Sequence, residues 1–181
     1  MTSPNEMIDT WLRDAHATEA QAATMLRGTA GRNEDYPEFS RLLREQADIS
    51  DGHAKAIDQC LDARGSGTSF VKDAAGQITA LGQSVSGMVV GDEVMKAALA
   101  TTTFARMQTA SARIITAAAG SAGDTETERL GEAMARANER FATELDALLP
   151  KLTVDYLARE GSDDMSGTGQ ENSEATAQTF V

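Results

Sequence analysis

Few residues of this chain have the type and spacing to bind a metal ion. A di-iron site in a four-helix bundle takes a Glu from each of two helices and a Glu-x-x-His pair from each of the other two. The chain has two histidines, His16 and His53, and neither lies in such a pair. His16 stands one helical turn before Glu19, so both side chains can reach the same side of a helix. The pair could hold a metal ion, although a structural or surface pair is the commoner outcome at this spacing.

The other helices offer neutral polar side chains where a metal centre would need carboxylates. The inward polar positions are Gln46 and His53 on the second helix, Gln108 on the third and Asn138 on the fourth. Amides are poor ligands for iron, manganese or zinc, because they carry no negative charge to offset the cation. A lone histidine on an inward face is more often a hydrogen-bonded core residue than a ligand. We therefore expect Glu19 to accept a hydrogen bond from Gln46, Gln108 or another polar neighbour.

Long amphipathic helices must position these side chains, because apolar residues recur with a 3.6-residue period along most of the chain. Capping boxes at residues 3–6 and 125–128 and a proline at residue 37 predict helix starts. A weaker amphipathic stretch over residues 69–90 predicts a crossover segment. The chain is thus predicted to be an all-α four-helix bundle, with helices from residue 3 to about 28, from 37 to the glycines at 65 and 67, from about 92 to 119, and from 125 to 150.

The C-terminal part is predicted to differ from the bundle. Pro150 is expected to kink or restart the last helix, which leaves a short C-terminal helix over residues 152–159. From Gly161 the composition turns to Gly, Ser, Thr, Asp, Glu and Gln. Such a segment cannot bury enough apolar area to offset its ordering entropy. We therefore predict a bundle domain over residues 1–160 and a disordered acidic tail over residues 161–181, whose apolar end could dock to a protein partner.

Composition and charge exclude several classes of function. The net charge of −12 argues against nucleic acid or an anionic membrane surface as a partner. Cys60 is the single cysteine, so it forms no internal disulfide and no Cys-based metal motif, and its spacing predicts a buried core residue. No signal peptide and no apolar run near the ~20 residues of a membrane span are present, which predicts a cytoplasmic protein. Walker A, Rossmann, nucleophile-elbow and zincin motifs are absent.

Several segments resemble bacterial ferritin-like proteins of the YciE/YciF type. They are WLRDAHATEAQA at residues 11–22, DQCL at 58–61, GDEV at 91–94, AAGSAGDTET at 118–127, LP at 149–150 and YLAR at 156–159. They occur in the family's order and span about residues 5–160. The resemblance implies a ferritin-like fold and a bacterial stress-response setting.

The metal ligands of that family do not carry over to this chain. The first-helix glutamate of the family matches Glu19, but its second-helix His-x-x-Glu-Thr motif corresponds to QADIS at residues 46–50. The acidic positions of the third helix match Ala105 and Gln108, and those of the fourth match Ala137 and Asn138. We therefore expect no metal, no cofactor and no catalytic residue.

The functional prediction is a non-catalytic bundle protein that acts through its surface or its assembly, as a homodimer. Two alternatives stay open. The first is a residual di-iron or manganese protein, or a peroxide-handling protein, that uses His16 and Glu19 with Glu139 or His53. The second is a small-molecule binder whose ligand occupies the vacated centre of the bundle.

Overall fold

The computed structural model describes residues 3–66 and 93–174, with side chains over residues 3–66 and 94–161. Four helices account for most of these residues. No strand occurs in these ranges, so the predicted all-α four-helix bundle is confirmed. The predicted crossover stretch at residues 69–90 lies outside the described residues. The helices are α1 (Pro4–Arg32), α2 (Pro37–Ala63), α3 (Glu93–Ala122) and α4 (Thr125–Glu174).

Side-chain caps fix two of the helix starts. At α1 the Ser3 hydroxyl accepts a hydrogen bond from the Glu6 amide, and the Glu6 carboxylate accepts one from the Ser3 amide, which is the predicted capping box. At α4 the cap is Asp124, one residue before the predicted one, and its carboxylate accepts hydrogen bonds from the amide and hydroxyl of Thr127. The negative charge of Asp124 also suits the positive end of the helix dipole.

The end of α1 was predicted at Gly28, but the helix continues to Arg32. Two glycines lie in this last stretch, and each costs only about 1 kcal/mol relative to alanine. Thr29 and Ala30 are both buried there, and Ala30 packs in the core with Leu26. Tertiary packing therefore outweighs the low helix propensity of the glycines.

The packing order makes α2 and α3 diagonal neighbours. The main helix contacts join α1 to α2 and α3, and α4 to α3 and α2. The C-terminal end of α2 packs with the start of α1, through Ile57 and Ile8, whereas Val94 at the start of α3 packs with Leu26 near the end of α1. The end of α2 and the start of α3 therefore lie at opposite ends of the bundle.

The apolar core consists of two separate clusters. One includes Leu26, Phe39, Leu43, Phe141 and Leu145, and the other includes Ile8, Leu12, Ile57, Ile115 and Met134. Cys60 is buried in the second cluster, as predicted, with its Sγ 3.2 Å from the Thr127 hydroxyl. Burial raises the pKa of the Cys60 thiol, which keeps it protonated and unreactive.

The last helix does not restart at Pro150, which corrects the prediction of a separate short helix over residues 152–159. Instead α4 runs through Pro150 without interruption. Leu148 and Leu152 are buried on either side of the proline, so packing holds both halves on one axis. Pro150 itself is exposed, and so is Asp146, whose carbonyl loses its helical donor and can be hydrated.

The assigned helix continues to Glu174, past the composition change at residue 161. Extension of an existing helix adds one backbone hydrogen bond for each residue fixed, so it needs no new nucleus. Side chains beyond residue 161 and all of residues 175–181 lie outside the described part. The predicted docking of the chain end falls in that range.

An ion-pair network ties the end of α2 to α1 and α4. The Arg64 guanidinium donates to Asp9 at 2.5 Å, to Asp124 and to the Asn5 carbonyl at 3.2 Å. Ser66 donates from its hydroxyl to the second oxygen of Asp9. Arg64 is 15% exposed, and its two carboxylate partners are nearly as buried. The network closes this end of the bundle.

No helix within the described ranges is long and apolar enough to cross a membrane.

Candidate functional site: a buried polar layer

Between the two core clusters, every helix contributes a buried polar side chain at the same level. We call this set the polar layer, and it comprises Glu19 of α1, Gln46 and Ser50 of α2, Gln108 of α3 and Asn138 of α4. Each of the five is at most 2% exposed. On α1 the layer residue lies between Ala15 and Ala22, which belong to different core clusters. The two clusters therefore shield the layer from solvent along the bundle axis.

A directional hydrogen-bond chain connects three of the helices within the layer. Gln46 donates from Nε2 to Asn138 Oδ1 at 2.9 Å, and Asn138 donates from Nδ2 to Glu19 Oε1 at 3.3 Å. The carboxylate can only accept, so Asn138 must present its amide nitrogen to Glu19 and its oxygen to Gln46. The expected polar neighbour of Glu19 is thus Asn138, and Gln46 acts through it.

His53 flanks the layer at its solvent side. Its Nδ1 lies 3.5 Å from Glu19 Oε2, and its side chain is 14% exposed. The two atoms attract each other when the imidazole is protonated, but no hydrogen bond joins them. His53 is therefore the partly exposed neighbour of the one buried carboxylate, and the predicted hydrogen bond of a core histidine is not formed at this nitrogen.

Five side-chain atoms at this level have no hydrogen-bond partner among the described residues. They are Glu19 Oε2, Ser50 Oγ, His53 Nδ1 and both polar atoms of the Gln108 amide. Thr109, the next residue on α3, is also buried, but its hydroxyl donates to the Ala105 carbonyl of its own helix. The unpartnered groups at this level thus include both donors and acceptors.

Two of the predicted metal-binding candidates lie elsewhere. His16 does not join Glu19, because its Nε2 lies 3.1 Å from Asp58 Oδ1 at the α1–α2 edge. Glu139 is exposed and forms an ion pair with Arg113 at 2.9 Å. Glu19 and His53 are the candidates that the structure brings together.

A di-metal centre does not fit the polar layer. Among the five layer residues Glu19 is the only carboxylate, and the others supply amide or hydroxyl groups. Nowhere in residues 3–66 and 94–161 do three His, Cys, Asp or Glu side chains converge as a metal site would require. One carboxylate and one imidazole leave most of the charge of two divalent ions unbalanced.

Ser50 is the one layer residue that was not among the inward polar positions expected from the sequence. It follows Gln46 by four residues and precedes His53 by three, so all three lie on one helical face. Its hydroxyl is fully buried and has no partner. The spacing from Gln46 was enough to place Ser50 on the inward face of α2. Serine is common on helix surfaces, however, so the residue type alone did not mark it as a buried polar residue.

The solvent-facing side of α3 is the second unusual feature of the structure, after the polar layer. Its exposed residues between 99 and 117 include two arginines, Arg106 and Arg113, and these pair with Asp146 and Glu139 of α4 at one edge. The rest of this face is uncharged, and it carries Leu99, Ala100, Thr103, Met107, Ala110, Ile114 and Ala117. We call this set the α3 outer face. Met107 and Ile114 are 46% and 54% exposed.

A groove of about 350 Å³ adjoins the α3 outer face where α3 meets α1. It is lined by Trp11, Asp14, Met107, Ala110, Ser111 and Ile114. A larger cleft of about 440 Å³ lies between the α1–α2 turn and α4, and its charged residues are already paired with each other. The first groove therefore extends an apolar face, whereas the second is spanned by ion pairs such as Lys151 with Glu38 and Asp155.

Comparisons with known proteins agree with the fold. A family model described as a domain of unknown function (DUF892) matches residues 3–158. A crystal structure of a protein from Xanthomonas campestris pv. campestris is similar, with a TM-score of 0.70 and 26% sequence identity. The similarity covers 87% of this chain and 98% of the Xanthomonas chain.

Proposed function

Since this chain belongs to the DUF892 family, a ferritin-like family of unknown function, we propose that it is a non-catalytic bundle protein that acts through its surface and its assembly. The observation that carries the proposal is the chemistry of the polar layer. The layer has one carboxylate where a di-metal centre needs several, and that carboxylate accepts a hydrogen bond from the Asn138 amide, which in turn accepts one from Gln46. The resemblance to the YciE/YciF type adds a bacterial stress setting to the proposal.

The amides stabilise the layer without a metal. Gln46 and Asn138 each donate one hydrogen bond along the chain that ends on Glu19, so the buried charge is partly offset by dipoles. A cation at this point would have to break the Asn138–Glu19 contact or bind the remaining oxygen of Glu19 alone. Either arrangement provides fewer anionic ligands than iron or manganese sites in proteins use.

Metal loading tests the proposal directly. The purified protein is incubated with Fe(II) or Mn(II), desalted and analysed for bound metal, and we expect no stoichiometric metal. A matched control variant carries Gln108→Glu and Asn138→Glu, which restore two carboxylates beside Glu19. We expect this variant to retain more metal than the unaltered protein. Two metal ions per unaltered chain would contradict the proposal and favour the residual metalloprotein.

The α3 outer face supports self-association as the form of assembly. An acidic chain pairs with a second copy of itself more readily through a face without acidic residues, because like charges would repel across the twofold axis. α3 has no acidic residue after Glu93, and its outer face exposes apolar side chains. We therefore assign the predicted homodimer to this face.

Light scattering after size-exclusion chromatography tests the assignment. We expect the unaltered protein to elute as a dimer and Ile114→Asp to elute as a monomer, since the substitution places a negative charge on the α3 outer face. Val154→Asp is the control, because Val154 is also an exposed apolar residue, at 65% against 54% for Ile114, but lies on α4. A dimer that survives Ile114→Asp would place the interface on another surface.

A further inference from the structure

We propose that the polar layer holds ordered water molecules, which bridge Gln108 and Ser50 to the Glu19–His53 pair. The inference rests on the proposed function, because a metal ion would occupy the same oxygen atoms. It adds bound water as the hydrogen-bond partner of those polar atoms that no other side chain contacts by a hydrogen bond. The layer then becomes a hydrated site in the middle of an otherwise apolar core.

The unpartnered atoms form the first step of the argument. Roughly 90% or more of buried polar groups in native proteins have a hydrogen-bond partner, either protein or ordered water. Here five side-chain atoms without a partner lie at one level, on α1, α2 and α3. Gln108 is 2% exposed and Ser50 fully buried, so bulk solvent does not reach either of them. A partner enclosed with them is required.

The mixture of donors and acceptors identifies water as that partner. The Gln108 amide presents a nitrogen that donates and an oxygen that accepts, the Ser50 hydroxyl does both, and Glu19 Oε2 accepts. A cation would satisfy the oxygen atoms but would be repelled by the amide hydrogens. A water molecule donates two hydrogen bonds and accepts others, so it can serve every one of these groups.

The geometry around His53 provides both a binding position and an entry route. Glu19 Oε2 and His53 Nδ1 are 3.5 Å apart, and neither has a hydrogen-bond partner. A water molecule beside this gap can donate to the carboxylate and exchange a hydrogen bond with the imidazole. The His53 side chain is 14% exposed although its Nδ1 is buried, so the imidazole ring lies between this position and solvent, and movement of the ring would let the bound water exchange without unfolding of the bundle.

Oxygen-17 magnetic relaxation dispersion tests the inference, because it counts water molecules that stay bound for longer than the protein takes to tumble. The variant with Ser50→Ala and Gln108→Leu removes three of the five unpartnered atoms. We expect it to lose at least half of the dispersion amplitude of the unaltered protein. The control variant, with Ser121→Ala and Gln59→Leu, makes the same chemical changes on the surface, and we expect its amplitude to be unchanged.

A high-resolution crystal structure of the unaltered protein provides a second measurement if the layer variant fails to fold. We expect oxygen density within hydrogen-bond distance of Glu19 Oε2 and the Gln108 amide. A dry layer in the crystal, or equal dispersion amplitudes in the two variants, would overturn the inference and leave the proposed metal-free bundle standing. Anomalous scattering from iron or manganese at the layer would overturn both.

Discussion

Glu19 is the only acidic member of the polar layer, and its carboxyl group is buried. Oε1 accepts from Asn138 at 3.3 Å, while Oε2 faces His53 without a hydrogen bond. Glu19→Gln keeps the shape and the accepting oxygen, removes the charge and adds a donor toward the imidazole. We expect the free energy of unfolding in urea to stay the same or to rise by about 1 kcal/mol.

The control for Glu19→Gln is Glu45→Gln, which alters an exposed ion pair with Arg41 on α2. An exposed pair of this kind contributes about 0–1 kcal/mol, so we expect a small loss there. A loss of several kcal/mol for Glu19→Gln, present with added metal and absent with a chelator, would show that the carboxylate binds a metal ion.

Arg64 is partly buried with two carboxylates that depend on it. Burial raises the pKa of Asp9, but the hydrogen bonds from Ser66 and Arg64 together lower it by more than burial raises it. The pKa of Asp9 is therefore below the usual value of 3.8. The pKa of Asp124 is lowered likewise, against burial, by hydrogen bonds from Thr127 and by the charge and hydrogen bond of Arg64. Arg64→Met should therefore cost about 1–3 kcal/mol of unfolding free energy at neutral pH.

The pH dependence of that loss follows from the direction of the shifts. Because both pKa values are lower in the folded state, the stabilisation is present above the unfolded pKa of 3.8 and is lost as pH falls through the folded values. In urea titrations we expect the gap in unfolding free energy between Arg64→Met and the unaltered protein to narrow as the pH falls below 3.8. A gap that stays constant would assign the effect to lost packing of the arginine stem.

At the residue scale, the sequence predicted which side chains are buried but not which partners they meet. The positions of Glu19, Gln46, Gln108 and Asn138 follow from helical periodicity, because each occupies a core-facing position of its own helix. The pairing of His16 with Asp58 depends on how α1 and α2 lie against each other, and no spacing within one helix specifies it. The Arg64 network joins residues about 55 to 60 positions apart and was missed for the same reason.

At the element scale, Pro150 tests how far packing outweighs local propensity. The helix passes through a proline that removes one backbone hydrogen bond, because Leu148 and Leu152 are both buried. Pro150→Ala returns a donor to the Asp146 carbonyl and removes the ring clash. We expect the melting temperature to rise, with a gain in stability of about 1–3 kcal/mol, less any entropy lost from the unfolded chain.

Pro37→Ala is the matched control, since Pro37 occupies the first turn of α2. There the amide has no helical acceptor to lose, and the fixed φ of proline suits the helix start. We expect no gain in melting temperature from this change. Equal gains at both prolines would mean that the effect comes from the unfolded chain and not from the missing hydrogen bond in α4.

Helix ends show where the local signals were sufficient. The α1 capping box and the start of α2 at Pro37 were predicted correctly, because both signals act within a few residues. The errors, at the end of α1 and at Pro150, occur where buried side chains of neighbouring helices extend an element past a weak position. Tertiary contacts of that kind cannot be read from one helix alone.

At the scale of the whole molecule, charge is distributed unevenly. The chain carries −12, yet its third helix is free of acidic residues after Glu93. That asymmetry was visible in the sequence, but which side of α3 faces solvent became clear only once the contacts with α1 and α4 were known. The α3 outer face is therefore the surface that we propose for the predicted homodimer.

The division of the core into two apolar clusters has a consequence for the register of the helices. Alanine-rich and leucine-rich surfaces allow one helix to slide past another by a turn at little cost, because apolar contacts are similar at each position. A slide of α1 by one turn would move Glu19 from the amides of Asn138 and Gln46 into an apolar cluster, where an unpaired charge is costly. The polar layer thus specifies one alignment out of several.

Replacing Glu19, Gln46, Gln108 and Asn138 together with leucine should separate the effect of the polar layer on stability from its effect on the alignment of the helices. We expect a higher melting temperature, since burying apolar groups of similar size in place of polar ones is often stabilising. We also expect doubled or broadened amide resonances, as the helices sample more than one alignment. A single sharp set of resonances would show that loops and core shape alone fix the register. In that case the polar layer would be dispensable for the alignment that every other contact in the bundle presupposes.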